Sequence, residues 1–227
     1  MKILRYVLII LLGIALTVVM SFLEIPFWII YLSIVFLYIL LLVVPSMYIV
    51  YKSNNLAKIE RYLEENKKKV LFTFPLAVKT GDLPTIIQAI NDILKKYKQP
   101  YMQEVYKANL ALYENNVSEF NILARQISKE PLRTYYKAYA EALQGKFVEA
   151  RTLKESLQAS WMKHSIEAII AKEQGDMETF RKEADASIES ARGIQKFSLV
   201  YFIHLRDLNE TYSKKKQPYV AAFCFGQ

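Results

Sequence analysis

The chain has 227 residues, of which 53% are hydrophobic, and 30 basic against 22 acidic side chains give it a net charge of +8. It contains neither G-x-G-x-x-G nor G-x-x-x-x-G-K-[ST], which excludes the usual glycine-rich phosphate-binding loops. Its single cysteine, Cys224, excludes an internal disulfide and a cysteine-cluster zinc site. The first 51 residues are strongly apolar and hold three charged side chains: Lys2, Arg5 and Glu24.

Two uncharged runs, residues 6–23 and 25–51, predict membrane-spanning helices. A helix needs about 20 apolar residues to cross the core of a bilayer, and the first run only just qualifies. Pro26 disfavours helix at the residue before it and suits a tight turn between the runs. We therefore predict a transmembrane hairpin over residues 1–51. A cleaved signal peptide is the alternative, but a longer apolar run follows at once and no A-x-A site follows the first run.

The basic residues around the runs predict the orientation of the hairpin. Lys2 and Arg5 precede the first run, Lys52 and Arg61 follow the second, and the tip has neither Lys nor Arg. Cytoplasmic flanks of membrane helices carry an excess of Lys and Arg. We therefore expect a multi-pass protein of the plasma membrane with both termini in the cytoplasm. The Lys-, Ile-, Tyr- and Asn-rich composition favours a bacterial protein.

Small residues recur along the first run. Gly13, Thr17 and Ser21 are four positions apart, a spacing that places them on one helix face and allows a second helix to approach closely. We predict that this face packs on the second span or on another membrane protein, and incidental spacing is the equal alternative. Neither run contains a charged residue, so two such helices make a poor transporter.

Residues 52–80 are predicted to form a juxtamembrane helix and linker. Leu56, Ile59 and Leu63 recur at helical spacing, whereas Pro75 leaves the helical state of residues 70–78 uncertain.

Three consecutive lysines follow the juxtamembrane helix. Lys67, Lys68 and Lys69 lie near the expected inner leaflet, which is usually anionic, and each such charge contributes about 1 kcal/mol of attraction close to the surface. We predict contact with the lipid bilayer there, and ordinary solvated lysines are the alternative.

A repeated segment begins at residue 81. Each copy has Gly or Asn, then a polar residue, and an apolar or alanine residue five positions on. The four copies start at Gly81, Asn115, Gly145 and Gly175. Gly and Asn tolerate the left-handed conformation that ends a helix, and apolar residues on either side recur every three or four positions. A fixed period of helix pairs predicts an α-solenoid over residues 81–212, with a tail at residues 213–227.

The clearest copy resembles the tetratricopeptide (TPR) repeat over roughly residues 100–190. The resemblance is carried by Tyr135, Ala138, Gly145, Phe147, Glu149 and Ala150. It implies helical hairpins whose first helices line a groove for a peptide or a helix. The candidate groove residues are Tyr106, Asn109, Tyr113, Tyr135 and Tyr139. Tyrosine offers a large contact area with a polar tip, which suits protein recognition, but packing in the core between hairpins is equally consistent with the pattern.

The sequence offers little for catalysis. His164 and His204 are the only histidines, and there is no H-E-x-x-H helix and no G-x-S-x-G nucleophile turn. We predict no enzymatic activity, no cofactor and no metal site. The basic clusters at residues 67–69, 95–98 and 214–216 are separated and accompany none of the usual nucleic-acid-binding motifs, so no nucleic-acid partner is expected.

These patterns predict an all-α protein with two transmembrane helices followed by a cytoplasmic TPR-like α-solenoid. The expected function is that of a membrane-anchored scaffold or adaptor that binds a protein partner. The alternative is an accessory subunit of a larger membrane complex, in which the transmembrane hairpin carries the specificity.

Overall fold

The computed structural model describes residues 2–212, and the side chains of residues 7–203. This part of the chain is helical, without strands. It divides into two compact units, Met1–Lys52 and Ser53–Gln227, one residue from the boundary expected after residue 51. The predicted tail at residues 213–227, with Cys224, lies outside the described residues.

The first unit is a hairpin of apolar helices. Helix α1 spans Lys2–Phe22 and packs on α2, Phe27–Tyr38. A π-helical turn, Ile39–Val43, joins α2 to α3, Val44–Tyr51. The backbone of Glu24 is left-handed in the turn between α1 and α2 (φ 54°), as a tight reversal requires.

The continuous helix Phe27–Tyr51 has 25 residues and a mean hydropathy of 2.8 over its most apolar window, which suffices to cross a membrane. The apolar part of α1, Val7–Phe22, is shorter. One helix of the described residues therefore meets the length and composition of a span, where the sequence predicted two. The π-helical turn ends two residues before Pro45, whose ring would clash with the carbonyl of Leu41 in a regular α-helix.

The second unit, in its described part, contains ten helices. They are Leu56–Glu65 (α4), Val70–Thr80 (α5), Leu83–Lys96 (α6), Pro100–Tyr113 (α7), Val117–Gln126 (α8), Leu132–Leu143 (α9), Phe147–Ser156 (α10), Ser160–Glu173 (α11), Met177–Ser190 (α12) and Gly193–Tyr212 (α13). Helices α5 to α12 pack as four successive pairs, and each pair also contacts the next.

The four predicted turns are confirmed. The first residue of each repeated segment has a left-handed backbone, with φ of 73° at Gly81, 62° at Asn115, 76° at Gly145 and 79° at Gly175. Helices α6, α8 and α12 then begin with a side-chain cap, in which Asp82, Asn116 or Asp176 accepts a hydrogen bond from the backbone N–H three residues on. Local backbone chemistry therefore sets the pairing of the helices.

Residues 53–80, all but the first residue of the predicted juxtamembrane helix and linker, pack as part of the second unit. Ile59 and Leu63 of α4 are fully buried, and α5 contributes Phe74 and Val78 to the main core. Pro75, which left the helical state of residues 70–78 uncertain, lies inside α5 and is buried. The helix continues through it to Thr80.

Helix α13 connects the two ends of the second unit. It packs on α12, which precedes it, and also on α4 and α5. Its residues Ile194, Phe197 and Leu199 are buried, and at its start the N–H of Gly193 donates to the carbonyl of Ser53 across 2.8 Å.

Candidate functional site

The five residues predicted to line a groove are all buried. Relative exposure is 0% at Tyr106, Asn109 and Tyr135, 1% at Tyr139 and 4% at Tyr113. They form part of the core between helix pairs, as the alternative interpretation of the pattern has it, so none of them lines an open groove in this structure.

The enclosure of α9 explains the burial of Tyr135 and Tyr139. It packs on α8, α10 and α11, and none of its residues is more than partly exposed. The Tyr136 hydroxyl donates to Oδ1 of Asn109 on α7 (3.2 Å), and the Tyr135 hydroxyl hydrogen-bonds the hydroxyl of Ser165 on α11 (2.9 Å). The first helices are thus joined to each other through Asn109 and Tyr135, two of the side chains that were expected to face a ligand.

Aromatic rings fill the space around these hydrogen bonds. The ring of Phe120 lies edge-on to Tyr139, with 5.6 Å between centroids, and 5.9 Å from Tyr136. Tyr135 lies 5.3 Å from Trp161. Edge-on and tilted contacts of this kind stabilise a core beyond the area they bury, so the cluster has a structural role.

Ion pairs link successive helix pairs, and sequence reasoning missed them. Glu141 of α9 is nearly buried and pairs with Arg125 of α8 and with Lys146. The next boundary repeats the arrangement, because Glu167 of α11 accepts hydrogen bonds from Arg151 of α10. In both cases the arginine precedes the glutamate by 16 residues. This recurring separation is the signal in the sequence that could have revealed the two contacts.

Glu167 is held in its charged form. Its carboxylate lies 2.9 Å from Arg151 and 2.7 Å from Lys154. Burial opposes ionisation of Glu167, but the hydrogen bonds and positive charges of Arg151 and Lys154 outweigh it and lower the pKa of the carboxyl. Burial likewise opposes the charge on Lys154, and the bond to Glu167 raises the pKa of the ammonium above its usual value. The pair therefore favours the folded state at neutral pH.

Potential reactive groups are engaged in packing contacts. Nδ1 of His164 lies 2.7 Å from Oε2 of Glu183 and joins α11 to α12. The described residues contain no group of three or more His, Cys, Asp or Glu side chains that could hold a metal ion. A cavity between α11, α12 and α13 is lined mainly by apolar side chains and, at about 10 Å³, has room for at most one water molecule. The side chain of His204 lies outside the described residues.

The three small residues of α1 have different surroundings. Gly13 is buried, and a methyl group added to it would lie 3.0 Å from the hydroxyl of Tyr38 on α2. The Thr17 hydroxyl donates to the carbonyl of Gly13 (2.8 Å), and Ser21 is exposed. The close approach therefore occurs inside the hairpin and at Gly13.

The lysine cluster occupies the turn between α4 and α5. Lys67, Lys68 and Lys69 are exposed, and Lys69 Nζ lies 5.7 Å from the centroid of the Phe72 ring. An ion pair joins Lys67 to Glu64 across 3.6 Å.

Comparison of the chain with protein-family models, with curated proteins and with solved structures gave no match. Any functional conclusion therefore depends on the residues and packing of this chain.

Proposed function

We propose that the protein is a membrane-anchored scaffold whose TPR-like helical domain binds a protein partner at the cytoplasmic face of the plasma membrane. The observation that supports the proposal is the exposure of the apolar helix Phe27–Tyr51, of whose most apolar window 6% is buried within the protein. A large exposed apolar surface requires a bilayer or another protein to cover it. A charged and separately packed helical unit follows directly in the chain.

The proposal includes two spans with both termini in the cytoplasm. Helix α1 reverses through the turn at Glu24 and packs on α2, which supports a hairpin. The basic residues Lys2, Arg5 and Lys52 flank its open end and favour a cytoplasmic location for that end.

The surface available to a protein partner differs from the one expected from the TPR resemblance. Because the tyrosines of the first helices are buried, we assign partner binding to the outward faces of the second helices. On α8 and α10 these faces expose two apolar side chains, Ile122 at 58% and Val148 at 76%. The buried centre of a protein interface is more apolar than its rim, so these two side chains are the candidates for the centre of such a contact.

A second candidate function is an accessory subunit in which the hairpin recognises another membrane protein. The exposed aromatic residues Tyr31 and Phe36 of α2 favour it, because they offer side-chain area to a neighbouring helix. The contact between Gly13 and Tyr38 weighs against it, because the small-residue face is used within the hairpin.

In-cell crosslinking followed by pull-down distinguishes the two candidates. The full chain is compared with a chain whose residues 1–51 are replaced by an unrelated transmembrane hairpin. Recovery of the same partner by both supports the scaffold. Loss of the partner after the exchange supports the accessory subunit instead.

A surface variant tests where the partner binds. The double variant Ile122→Glu/Val148→Glu should lose the partner, because it places two charges at the proposed contact. Gln144→Glu/Gln174→Glu adds the same charge at exposed turn positions and should retain the partner. A folded protein that recovers no partner in any form would contradict the scaffold function.

A further inference from the structure

We infer that the turn between α4 and α5 is a docking surface for anionic phospholipid, so that the helical unit lies against the bilayer that holds its anchor. The inference rests on the proposed membrane anchorage and identifies a second, electrostatic contact with the same membrane. Its surface comprises Lys67, Lys68 and Lys69 together with Lys58 and Arg61 of α4.

The amphipathic character of α4 exposes two of these charges. Ile59 and Leu63 are fully buried, whereas Lys58 and Arg61 are exposed. The packing of α4 in the core therefore fixes its basic side chains towards solvent.

The turn itself has a charge excess. Glu64 forms an ion pair with Lys67. Within the described part of the chain, Lys68 and Lys69 form no ion pair with a carboxylate. Their charges remain available to lipid phosphates, and the half-buried ring of Phe72 beside Lys69 provides an apolar side chain of the kind found at bilayer interfaces.

The length of chain between the units makes lipid the nearest polyanion. Residues 52–55 separate α3 from α4, and this link spans at most about 17 Å. Helix α4 has 10 residues and is about 15 Å long, so the turn that follows it can lie at most about 32 Å from the end of α3, which keeps the bilayer within its reach. Electrostatic attraction to the leaflet acts over about 8–10 Å, which such a tether permits.

Energy transfer from a dye on α4 to fluorescent lipid headgroups tests the contact. The full chain carries Cys224→Ser and Ala57→Cys for labelling, because Ala57 is exposed on α4. It is reconstituted into vesicles of phosphatidylcholine alone or mixed with phosphatidylglycerol. We expect higher transfer with phosphatidylglycerol and a decrease at high salt, because the attraction is screened.

A charge variant with a matched control locates the surface. Lys67→Gln/Lys68→Gln/Lys69→Gln should abolish the increase in energy transfer with phosphatidylglycerol. Lys68 and Lys69, which form no ion pair among the described residues, each contribute about 1 kcal/mol of attraction, so their loss should lower the equilibrium constant for membrane contact about 30-fold. Lys95→Gln/Lys96→Gln/Lys98→Gln removes three exposed lysines at the end of α6 and should leave the response unchanged. Equal loss in both variants, or equal transfer in both lipid mixtures, overturns the inference.

Alkaline extraction of the same vesicles separates the two proposals. Release of the unmodified protein overturns the membrane anchorage and the lipid contact together. Retention of the protein without any phosphatidylglycerol response overturns the lipid contact alone.

Discussion

The hydroxyl of Tyr136 donates a hydrogen bond to Oδ1 of Asn109 across 3.2 Å, and both residues are fully buried. The bond connects α9 to α7, so it holds one helix pair against the preceding one. We expect Tyr136→Phe to lower the free energy of unfolding by about 1–2 kcal/mol, because a buried acceptor loses its donor. Tyr97→Phe, at a partly exposed position, should change it by less than about 0.5 kcal/mol.

Denaturation in mild detergent measures this difference. The chain has two tryptophans, so Trp28→Phe leaves Trp161 as the reporter of the second unit, where it is 8% exposed and contacts Tyr135. Equal stabilities of Tyr136→Phe and Tyr97→Phe would contradict a stabilising role for the bond.

The ring of Phe120 is fully buried between Tyr136 and Tyr139. Phe120→Ala should cost about 3–5 kcal/mol because it leaves a cavity in the aromatic cluster. Ile122→Ala, two residues along the same helix at 58% exposure, should cost less than about 0.5 kcal/mol. The same tryptophan-reported denaturation gives both values, and similar costs would contradict the packing described for α8.

The left-handed backbone at Gly145 makes a further prediction. A methyl group there meets no atom within 4 Å, so Gly145→Ala isolates the conformational cost of φ 76°. We expect a loss of about 1 kcal/mol in the free energy of unfolding. Asn115→Gly at the equivalent turn should be neutral or slightly stabilising, since glycine adopts φ 62° without strain. A neutral Gly145→Ala would argue against the left-handed turn.

The ion pair of Glu167 predicts a pH dependence of stability. The pKa of this carboxyl is lower in the folded protein than its ordinary value of 4.5. Its contribution is therefore complete above about pH 4.5 and is lost as the pH falls through the folded pKa. The pKa of Lys154 is raised above 10.5, so its contribution is complete below that pH and is lost as the pH rises through the folded pKa.

Thermal melts as a function of pH measure this contribution. Glu167→Gln should destabilise the protein by about 1 kcal/mol at neutral pH and reduce the loss of stability in acid. Glu173→Gln, at an exposed position of the same helix, should leave the pH profile unchanged. If Glu167→Gln lost as much stability in acid as the unmodified protein does, Glu167 would not be the source of the pH dependence.

The proposed orientation of the hairpin is tested by cysteine labelling in intact cells. In a Cys224→Ser background, Leu23→Cys at the tip should react with a membrane-impermeant maleimide. Ser118→Cys on α8 should react after the cells are opened. Labelling of Ser118→Cys in intact cells would reverse the orientation, and protection of Leu23→Cys would argue against an exposed tip.

The turns could be predicted from sequence because their cause is local. A left-handed residue ends the first helix of each pair, and Gly145 or Asn115 adopts that conformation whatever surrounds it. The N-caps that follow, such as Asp82 and Asn116, are local in the same sense. The turn inside each helix pair could therefore be predicted from a short segment of the chain.

The environment of the tyrosines could not be predicted in this way. Tyr135 and Tyr139 have the same helical spacing whether they face a groove or another helix. What decides between the two is the packing of α8, α10 and α11 around α9, which depends on contacts far apart in sequence. The burial of Ile59 on α4 and of Phe74 on α5 has the same origin, because both helices are contacted by α13, more than a hundred residues later.

The contact between Gly193 and Ser53 has a consequence for how the helical unit loses its structure. In an open array of repeats the terminal repeats contact one neighbour each and fray before the centre does. Here α13 packs on α4 and α5, so the first helices of the unit cannot detach without also releasing α13. Backbone amides of α4 and α13 should therefore become open to hydrogen exchange in the same opening event, although the two helices lie at opposite ends of the helical sequence.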